Sequence, residues 1–564
     1  MSDARTRPGT PAMLGAIVAF CVGVPVVSAI VTGSITIPHN DDWAFFRILF
    51  DLAETGDLRL VGWNEMMFFG QLLWALPLAW VAGENLAVIT VANAIVSALG
   101  LVLTYRLARR FVADDAALVV TIAVGIFPGF IALVTTFMTE PTAYAAQVGS
   151  LLLGVTAIGA RGRSRWTYLA AALVVGLYAF SIREFAIAAP LAVLVGVFVT
   201  EARAKQFPAA SLGGAAALIA VAASLYAWRQ SLGAGNTHFF GLQLGQLLYV
   251  QITQNFFTVM FGLLVPLIFV TARRQARLGI TAFAAGAVVV ALGVFALSSS
   301  AGEPTCCLGG NGSVFRGNLL TQRGPLGNQV LPGDRPTMPA ALWLLMMGAG
   351  LTAGVLVAGR AVGAAGALPR LLRDVSAEVA VLASFAALTA GAIVFRAVLG
   401  GPTFDRYLTP LVLVGAILLL RGVADEDGAR MPIGVTIAIA AVALVTLGFV
   451  AAGHSFDAAR WDAAERAVAA GIAPGDVDGG FEWVGYHYGG ITGEQAPSRS
   501  IPHGPGYLYM FPAAGNCGVV ASSPATDPRF EPLGTLPYRT WFGLKNEQVW
   551  IYRFTDACNL TQTP

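Results

Sequence analysis

Charge is what this chain has least of. Only 12% of its 564 residues are Asp, Glu, Lys or Arg, while 56% are hydrophobic, and many apolar runs are long enough to cross roughly 30 Å of hydrocarbon. A soluble globule is excluded, and the composition reads as a polytopic membrane protein. The formal charge of +2 is too small for a basic groove, so nucleic acid is not an expected partner. The five histidines, His39, His238, His454, His487 and His503, show no metal-ligand spacing. No nucleophile elbow, P-loop or dinucleotide fingerprint appears, which removes the commonest nucleotide-dependent classes. Ionisable residues at mid-span and repeated halves, the usual marks of a transporter, are not apparent either.

The charges that are present fall at the ends of apolar runs. Arg5 and Arg7 precede the first one, and Arg106/Arg109/Arg110, Arg161/Arg163/Arg165, Arg203/Lys205, Arg273/Arg274/Arg277, Arg360/Arg370/Arg373 and Arg421/Arg430 recur at every second boundary. Short basic loops stay cytoplasmic, so the N-terminus is expected inside. Hydropathy then gives about thirteen spanning helices, the last near residues 432–452, with the remainder outside. The first segment, about 12–34, reads as a span rather than a cleavable signal. Met66–Val81 reads as an interfacial helix, because a crossing there would invert every later loop.

Two units follow: a transmembrane portion, 1–452, with interfacial helices in its first external loop, and an extracytoplasmic domain, 453–564. In the latter, Trp461, Ala464, Val468 and Ile472 fall at helical spacing with Gly471 suited to the helix stop, and Gln548–Arg553 alternates like a strand. Cys306, Cys307, Cys517 and Cys558 all lie on the outer side, whereas Cys21 lies in the first span. Four cysteines allow three pairings. Cys517 with Cys558 is the favoured one, because it would clip a small domain and close a loop worth roughly 4 kcal/mol.

Acids and guanidinium groups gather on the outer side. His39-Asn40-Asp41-Asp42-Trp43 follows the first span and opens a helix that Asn40 can cap and Gly56 can end, with Trp43, Phe46 and Phe50 on one face and Arg47, Asp51 and Glu54 on the other. That helix is expected in the membrane interface. Glu140 follows Thr139 in the next outer turn, Arg183 and Glu184 end the fifth span, and Asp405-Arg406-Tyr407 begins the twelfth. Taken singly, each could be a snorkelling or paired end charge. Their common side argues for a site. The outer segment Ser298–Thr337, rich in Gly and Pro and carrying Arg316, Arg323, Asp334 and Arg335, is long enough to act as a lid over it.

With these residues in this order, the chain resembles the membrane-integral GT-C glycosyltransferases, especially bacterial relatives of protein mannosyltransferases and aminoarabinose transferases. The resemblance rests on the acidic first loop, the acid of the second loop, the base after span five, Arg406-Tyr407-Leu408-Thr409-Pro410, and the tail segments Gly471-Ile472-Ala473-Pro474 and Gly479-Gly480-Phe481-Glu482-Trp483. It implies an all-α GT-C-like membrane fold with a small α/β external domain in the bacterial cytoplasmic membrane. It also implies transfer of a sugar from a polyprenyl-phosphate-linked donor to an extracytoplasmic glycan, lipid or protein.

The residues suit that chemistry. A positioned carboxylate, best matched by Asp41, would accept the proton of an acceptor hydroxyl. Arg183 and Arg406, with Glu184 and Tyr407 beside them, would hold the carrier phosphate as negative charge grows on it. Asp42 and Glu140 would orient a substrate or hold a divalent cation, Mg or Mn. The rival readings are a polytopic transporter or lipid flippase and a noncatalytic subunit of an envelope assembly complex. Sugar transfer by the purified protein without transport separates them.

The alternation of basic clusters generates a direct test of sidedness. In a Cys-depleted variant, an impermeant thiol reagent applied from outside should label a cysteine introduced at Ser498 and not one at Ser164. The reverse pattern would invert the whole topology.

Overall fold

The protein is described by a computed structural model over residues 9–61, 64, 66–232, 242, 244–274, 280–298, 314–315, 331, 338–365, 375–421, 423, 431–487, 511, 515–555 and 558. Most of the expected lid, together with Cys306, Cys307 and Ser498, lies outside these residues.

Helices dominate, and their ends follow local chemistry. The side chains of Asn85 and Ser376 accept hydrogen bonds from the backbone amides of Val88 and Val379, capping Leu86–Ala108 and Ala377–Val398. Proline opens Thr409–Leu420, where its missing N–H costs nothing. Among the described residues nine helices are long and apolar enough to cross a membrane: Thr10–Thr32, Leu86–Ala108, Thr139–Gly159, Gly162–Ile182, Glu184–Arg203, Ala209–Ser231, Ala340–Gly363, Ala377–Val398 and Ile433–Ala469. A tenth arises if Leu248–Gly262 and Leu264–Arg273, bent by 51° at their junction, form one span. Three further segments counted from hydropathy fall on shorter helices, Asp114–Gly125, Ile280–Ser298 and Thr409–Leu420. The protein is thus an integral membrane protein with a mostly helical fold.

Two helices occupy the loop after the first span. Asp42–Thr55 ends at Gly56, which adopts the left-handed conformation (φ 75°), as the sequence suggests. Its N-terminus differs from the expectation: Asp41 holds the cap position, with no side-chain capping bond. The helix is also not laid in lipid. Trp43, Phe46 and Phe50 are buried against protein, where Phe46 packs at a tilt against Phe137 (5.0 Å between ring centres) and Trp43 meets Phe481 and Phe511 edge-on. A Cβ at Gly485 would lie 2.4 Å from the Trp43 ring, so only glycine lets the Phe481–His487 helix close over it. The second helix, Phe69–Ala82, has fourteen residues with Pro77 inside, too short for the roughly 20-residue crossing.

The C-terminal domain, expected outside, grows directly out of the last span. Ile433–Ala469 is one unbroken helix of 37 residues, so the amphipathic stretch at Trp461–Val468 continues the span through residue 453 instead of starting anew. Four strands pack on it: β1 (Val477–Asp478), β2 (Gly518–Ala521), β3 (Phe530–Thr540) and β4 (Lys545–Phe554), in the order β1-β2-β4-β3. β1 and β2 are parallel and the other pairs antiparallel. Pro532 and Pro537 are confined to the edge strand β3, where a missing ladder donor is tolerated. Phe456, Ala459, Ala463 and Ala467 of the helix share a core with Val520, Leu536, Val549 and Ile551 of the sheet. Cys517 and Cys558 form the disulfide favoured from the sequence, and the Cys21 thiol is buried in the first span.

Candidate active site at the outer helix ends

Four charged side chains from four distant stretches meet at one end of the helices. The Arg406 guanidinium lies between two carboxylates, its Nη2 2.9 Å from Asp41 Oδ2 and its Nε 2.9 Å from Glu140 Oε1. Glu140 Oε1 is also 3.0 Å from Arg183 Nη2. Arg183 Nε donates to the Thr139 hydroxyl at 3.0 Å. All four lie in loops or first turns: Asp41 at the cap of Asp42–Thr55, Glu140 in the first turn of Thr139–Gly159, Arg183 in the extended link after Gly162–Ile182, and Arg406 in the 3-10 turn Asp405–Leu408. Glu140 there enjoys the partial positive charge of its helix N-terminus.

Backbone contacts fix Arg406 in place. A Cβ at Gly129 would lie 2.6 Å from the Asp405 carbonyl oxygen, so glycine is what allows the Pro128–Ile131 turn to support the Arg406 loop. Asp405 accepts from the Arg406 amide at 2.8 Å. On the other side Asn255 donates to the Thr403 hydroxyl at 3.0 Å. The Tyr407 ring lies 5.2 Å from the Arg183 guanidinium and 5.5 Å from that of Arg406, within cation–π range of both.

A cleft of about 350 Å³, partly open to solvent, adjoins this cluster; Glu140, Tyr144, Gln147, Arg406, Tyr407 and Thr409 are in its wall. Three buried polar atoms on that wall, Arg406 Nη1, Gln147 Nε2 and Thr409 Oγ1, have no hydrogen-bond partner among the described residues. Buried polar groups are normally satisfied, so three orphans on one wall mark a place built to meet a polar ligand. Gln147 was not singled out from the sequence, and Thr409 only as a member of the Arg406–Pro410 segment. Gln147 lies two turns along the helix from Glu140, and that spacing was the available signal.

Asp42 takes a different part from the one its neighbour suggested. It is fully buried, one oxygen accepting from the His39 amide (2.5 Å) and the other from the Phe137 amide (2.8 Å). It ties the first external loop to the second, and it does not face the cleft. Glu184, the other acid expected to meet substrate, is half-buried outside the cleft wall.

A second buried ionic network holds the loop from behind. His39 is buried with Nδ1 2.9 Å from Asp457 and Nε2 3.0 Å from the Ser34 carbonyl oxygen. Arg460 bridges Asp457 (3.0 Å) and Glu482 (2.8 Å). Glu482 in turn accepts from the Asn40 amide at 2.9 Å, with Asn40 held in the left-handed region (φ 56°), which asparagine tolerates. Residues 39, 40 and 42 are thereby clamped, and Asp41 alone among these four turns to Arg406. Glu482 was legible only as part of a tail motif; Asp457 and Glu482 meet partners in the first loop, His39 and Asn40, that are more than 400 residues away.

Among the described residues no three His, Cys, Asp or Glu side chains group where they could hold a metal ion, and a guanidinium sits between Asp41 and Glu140.

Comparison with known proteins gives one family match. Residues 71–228 match the model of the dolichyl-phosphate-mannose-protein mannosyltransferase family. No curated protein matches. Two solved structures align with the chain: ArnT from Cupriavidus metallidurans bound to undecaprenyl phosphate, at 13% identity over 95% of this chain and 97% of that one (TM-score 0.44), and the same protein in the apo state, at 13% identity over 98% and 99% (TM-score 0.41).

The contrast between the two adjacent acids makes a prediction. Asp42→Asn places an amide donor against backbone donors and should cost about 1–3 kcal/mol, whereas Asp41→Asn should leave thermal unfolding in detergent near that of the wild type. Equal losses would merge the two roles. A pH dependence follows as well. Burial works against the His39 imidazolium, but the hydrogen bond and charge of Asp457, with Asp42 and Glu482, outweigh it and raise its pKa. Burial likewise pushes the Asp42 carboxyl up to about 8, against the pull of His39 and of the two amides. With both folded-state values raised, the folded protein holds more protons than the unfolded chain. This contribution to stability is complete below the unfolded values and is lost as pH rises through the folded ones. The melting temperature should therefore fall between about pH 6 and about pH 9, more steeply in the wild type than in His39→Gln.

The family match spans Glu140, Arg183 and the cleft residue Gln147, while Asp41 and Arg406 join them only in space, and over residues 71–228 the chain is similar to the dolichyl-phosphate-mannose-protein mannosyltransferases.

Proposed function

We propose that the protein transfers a sugar from a polyprenyl-phosphate-linked donor to a hydroxyl-bearing acceptor on the outer side of the membrane, with Asp41 as general base. The observation that carries this reading is the Arg406 guanidinium: it is shared by Asp41 and Glu140, yet keeps one buried N–H group without a partner on the wall of a cleft. A phosphate ester would satisfy that donor, since the planar guanidinium fork matches phosphate oxygens. Arg183, linked to the same Glu140, adds a second positive charge within reach. The family described for residues 71–228 uses a lipid-phosphate mannose donor by name, and the donor class proposed here is its counterpart.

The ion pair gives the reaction an order. Without donor, Asp41 is held by Arg406. A donor phosphate competes for the guanidinium and releases the Asp41 carboxylate to an acceptor hydroxyl. As that hydroxyl attacks the anomeric carbon, its proton passes to Asp41 and the glycosidic bonding pair leaves with the carrier phosphate. Arg406 and Arg183 stabilise the charge that grows there. Glu140 keeps the two guanidinium groups apart and aimed. No step requires a metal. The acceptor class is a hydroxyl-bearing glycan, lipid or protein.

The test measures donor binding and single-turnover transfer by the purified protein with a polyprenyl-phosphate sugar. Asp41→Asn should reduce transfer by at least about a hundredfold while still binding donor. Arg406→Lys, which keeps charge but loses the fork, should weaken both binding and transfer, and Arg406→Ala should weaken them further. Normal turnover by Asp41→Asn would remove the base, and normal binding by both Arg406 variants would remove the phosphate site.

A further inference from the structure

The hairpin joining β3 to β4 ends in Trp541-Phe542-Gly543-Leu544, and its backbone is wrong for those side chains. Trp541 (φ 51°), Phe542 (φ 58°) and Gly543 (φ 83°) are all left-handed, a conformation natural to glycine and asparagine and strained for bulky aromatics. The strain does not serve to bury these residues: Phe542 is 54% and Leu544 88% exposed. An external loop with a strained, apolar, outward-facing tip needs another reason to persist.

Its location supplies one. Trp541 packs on the last span, its ring centre 5.3 Å from that of Phe449, and a Cβ at Gly448 would lie 2.7 Å from the indole. Gly448 lies fifteen residues after Ile433, the start of that helix, or about 22 Å along it, short of the roughly 30 Å that hydrocarbon occupies. One turn nearer the helix start, Leu444 is exposed on the same span, as is Ile437 below it. The tip is thus continuous with a surface that faces acyl chains. Behind it, the exposed Arg539 and Lys545 stand on the two strands, Lys545 paired with Glu547 at 2.6 Å. Aromatic and leucine side chains at the tip with basic residues at the shoulders are the arrangement of a membrane-interface anchor.

We infer that the Trp541–Leu544 tip inserts into the outer leaflet beside the last span, with Arg539 and Lys545 meeting anionic phospholipid headgroups. The hairpin thereby becomes a second attachment of the external domain to the membrane, besides the helix from which the domain grows. The domain carries Asp457, Arg460 and Glu482, so a fixed height above the membrane also fixes the clamp behind Asp41.

Full-length protein in nanodiscs tests this. In a background with Cys21, Cys306 and Cys307 replaced by alanine, Leu544→Cys and, at the far end of the same strand pair, Glu531→Cys each carry an environment-sensitive fluorophore. Discs contain phosphatidylcholine with or without phosphatidylglycerol, and some lipids bear a nitroxide high on the acyl chain. The lipid nitroxide should quench the residue 544 label at least about threefold more than the residue 531 label, as expected for interfacial insertion, while aqueous iodide should show the opposite order. Arg539→Glu combined with Lys545→Glu should diminish the lipid quenching at 544 most in the anionic discs. Equal iodide access at both sites would overturn insertion and leave the tip facing solvent or a protein partner. Quenching at 544 that ignores both the anionic lipid and the charge reversal would overturn the headgroup contact.

Discussion

Arg460 is the hinge on which the arrangement turns. It is buried in the extension of the last span and neutralised by Asp457 on its own helix and by Glu482 of the external domain. Through those two acids it reaches His39 and the Asn40 amide in the loop that carries Asp41. A buried charge pair adds little net stability, but removing one partner leaves an uncompensated charge and costs about 3–5 kcal/mol. The network therefore acts less as glue than as a constraint on geometry. It tolerates only one placement of loop, helix and domain, because every other placement strands a charge.

That constraint explains why adjacent carboxylates behave so differently. Asp42 is consumed by two backbone amides, and His39 and Asn40 by the domain behind, so the loop has no freedom left except at the Asp41 side chain. Arg406 approaches from the opposite direction on a turn that Gly129 lets settle against the neighbouring helix end. The result is a carboxylate held at one distance from a guanidinium that is itself not fully satisfied. Preorganisation of this kind matters most where the surroundings are apolar, since charges there interact more strongly than in water and cannot be re-solvated as they shift.

The external domain contributes in two ways that do not depend on the chemistry. Its sheet completes a core with the helix extension, closed by the Cys517–Cys558 bridge, and its Phe481–His487 helix closes over Trp43. A domain with one covalent attachment to a span would otherwise be free to rock about it. The strained hairpin at Trp541 sits where it can oppose that motion.

Residues alone determined much of this. Scarce charge and long apolar runs dictated a polytopic membrane protein, the charges at the span ends pointed to Asp41, Glu140, Arg183 and Arg406 as candidates that the fold brings together, and the Gly56 stop and the strand at Gln548–Arg553 could be read from local rules that act over a few residues. Only tertiary structure decided which partner each charge takes. Asp41 and Asp42 are indistinguishable in sequence, and the unbroken helix through residue 453 hides the domain boundary, because a helix continues across a membrane surface whenever packing rewards both halves. Burial of the first-loop helix, the distant pairing of His39 with Asp457 and the orphaned N–H groups of Arg406 and Gln147 likewise depend on contacts between segments far apart in the chain, which local propensity cannot encode.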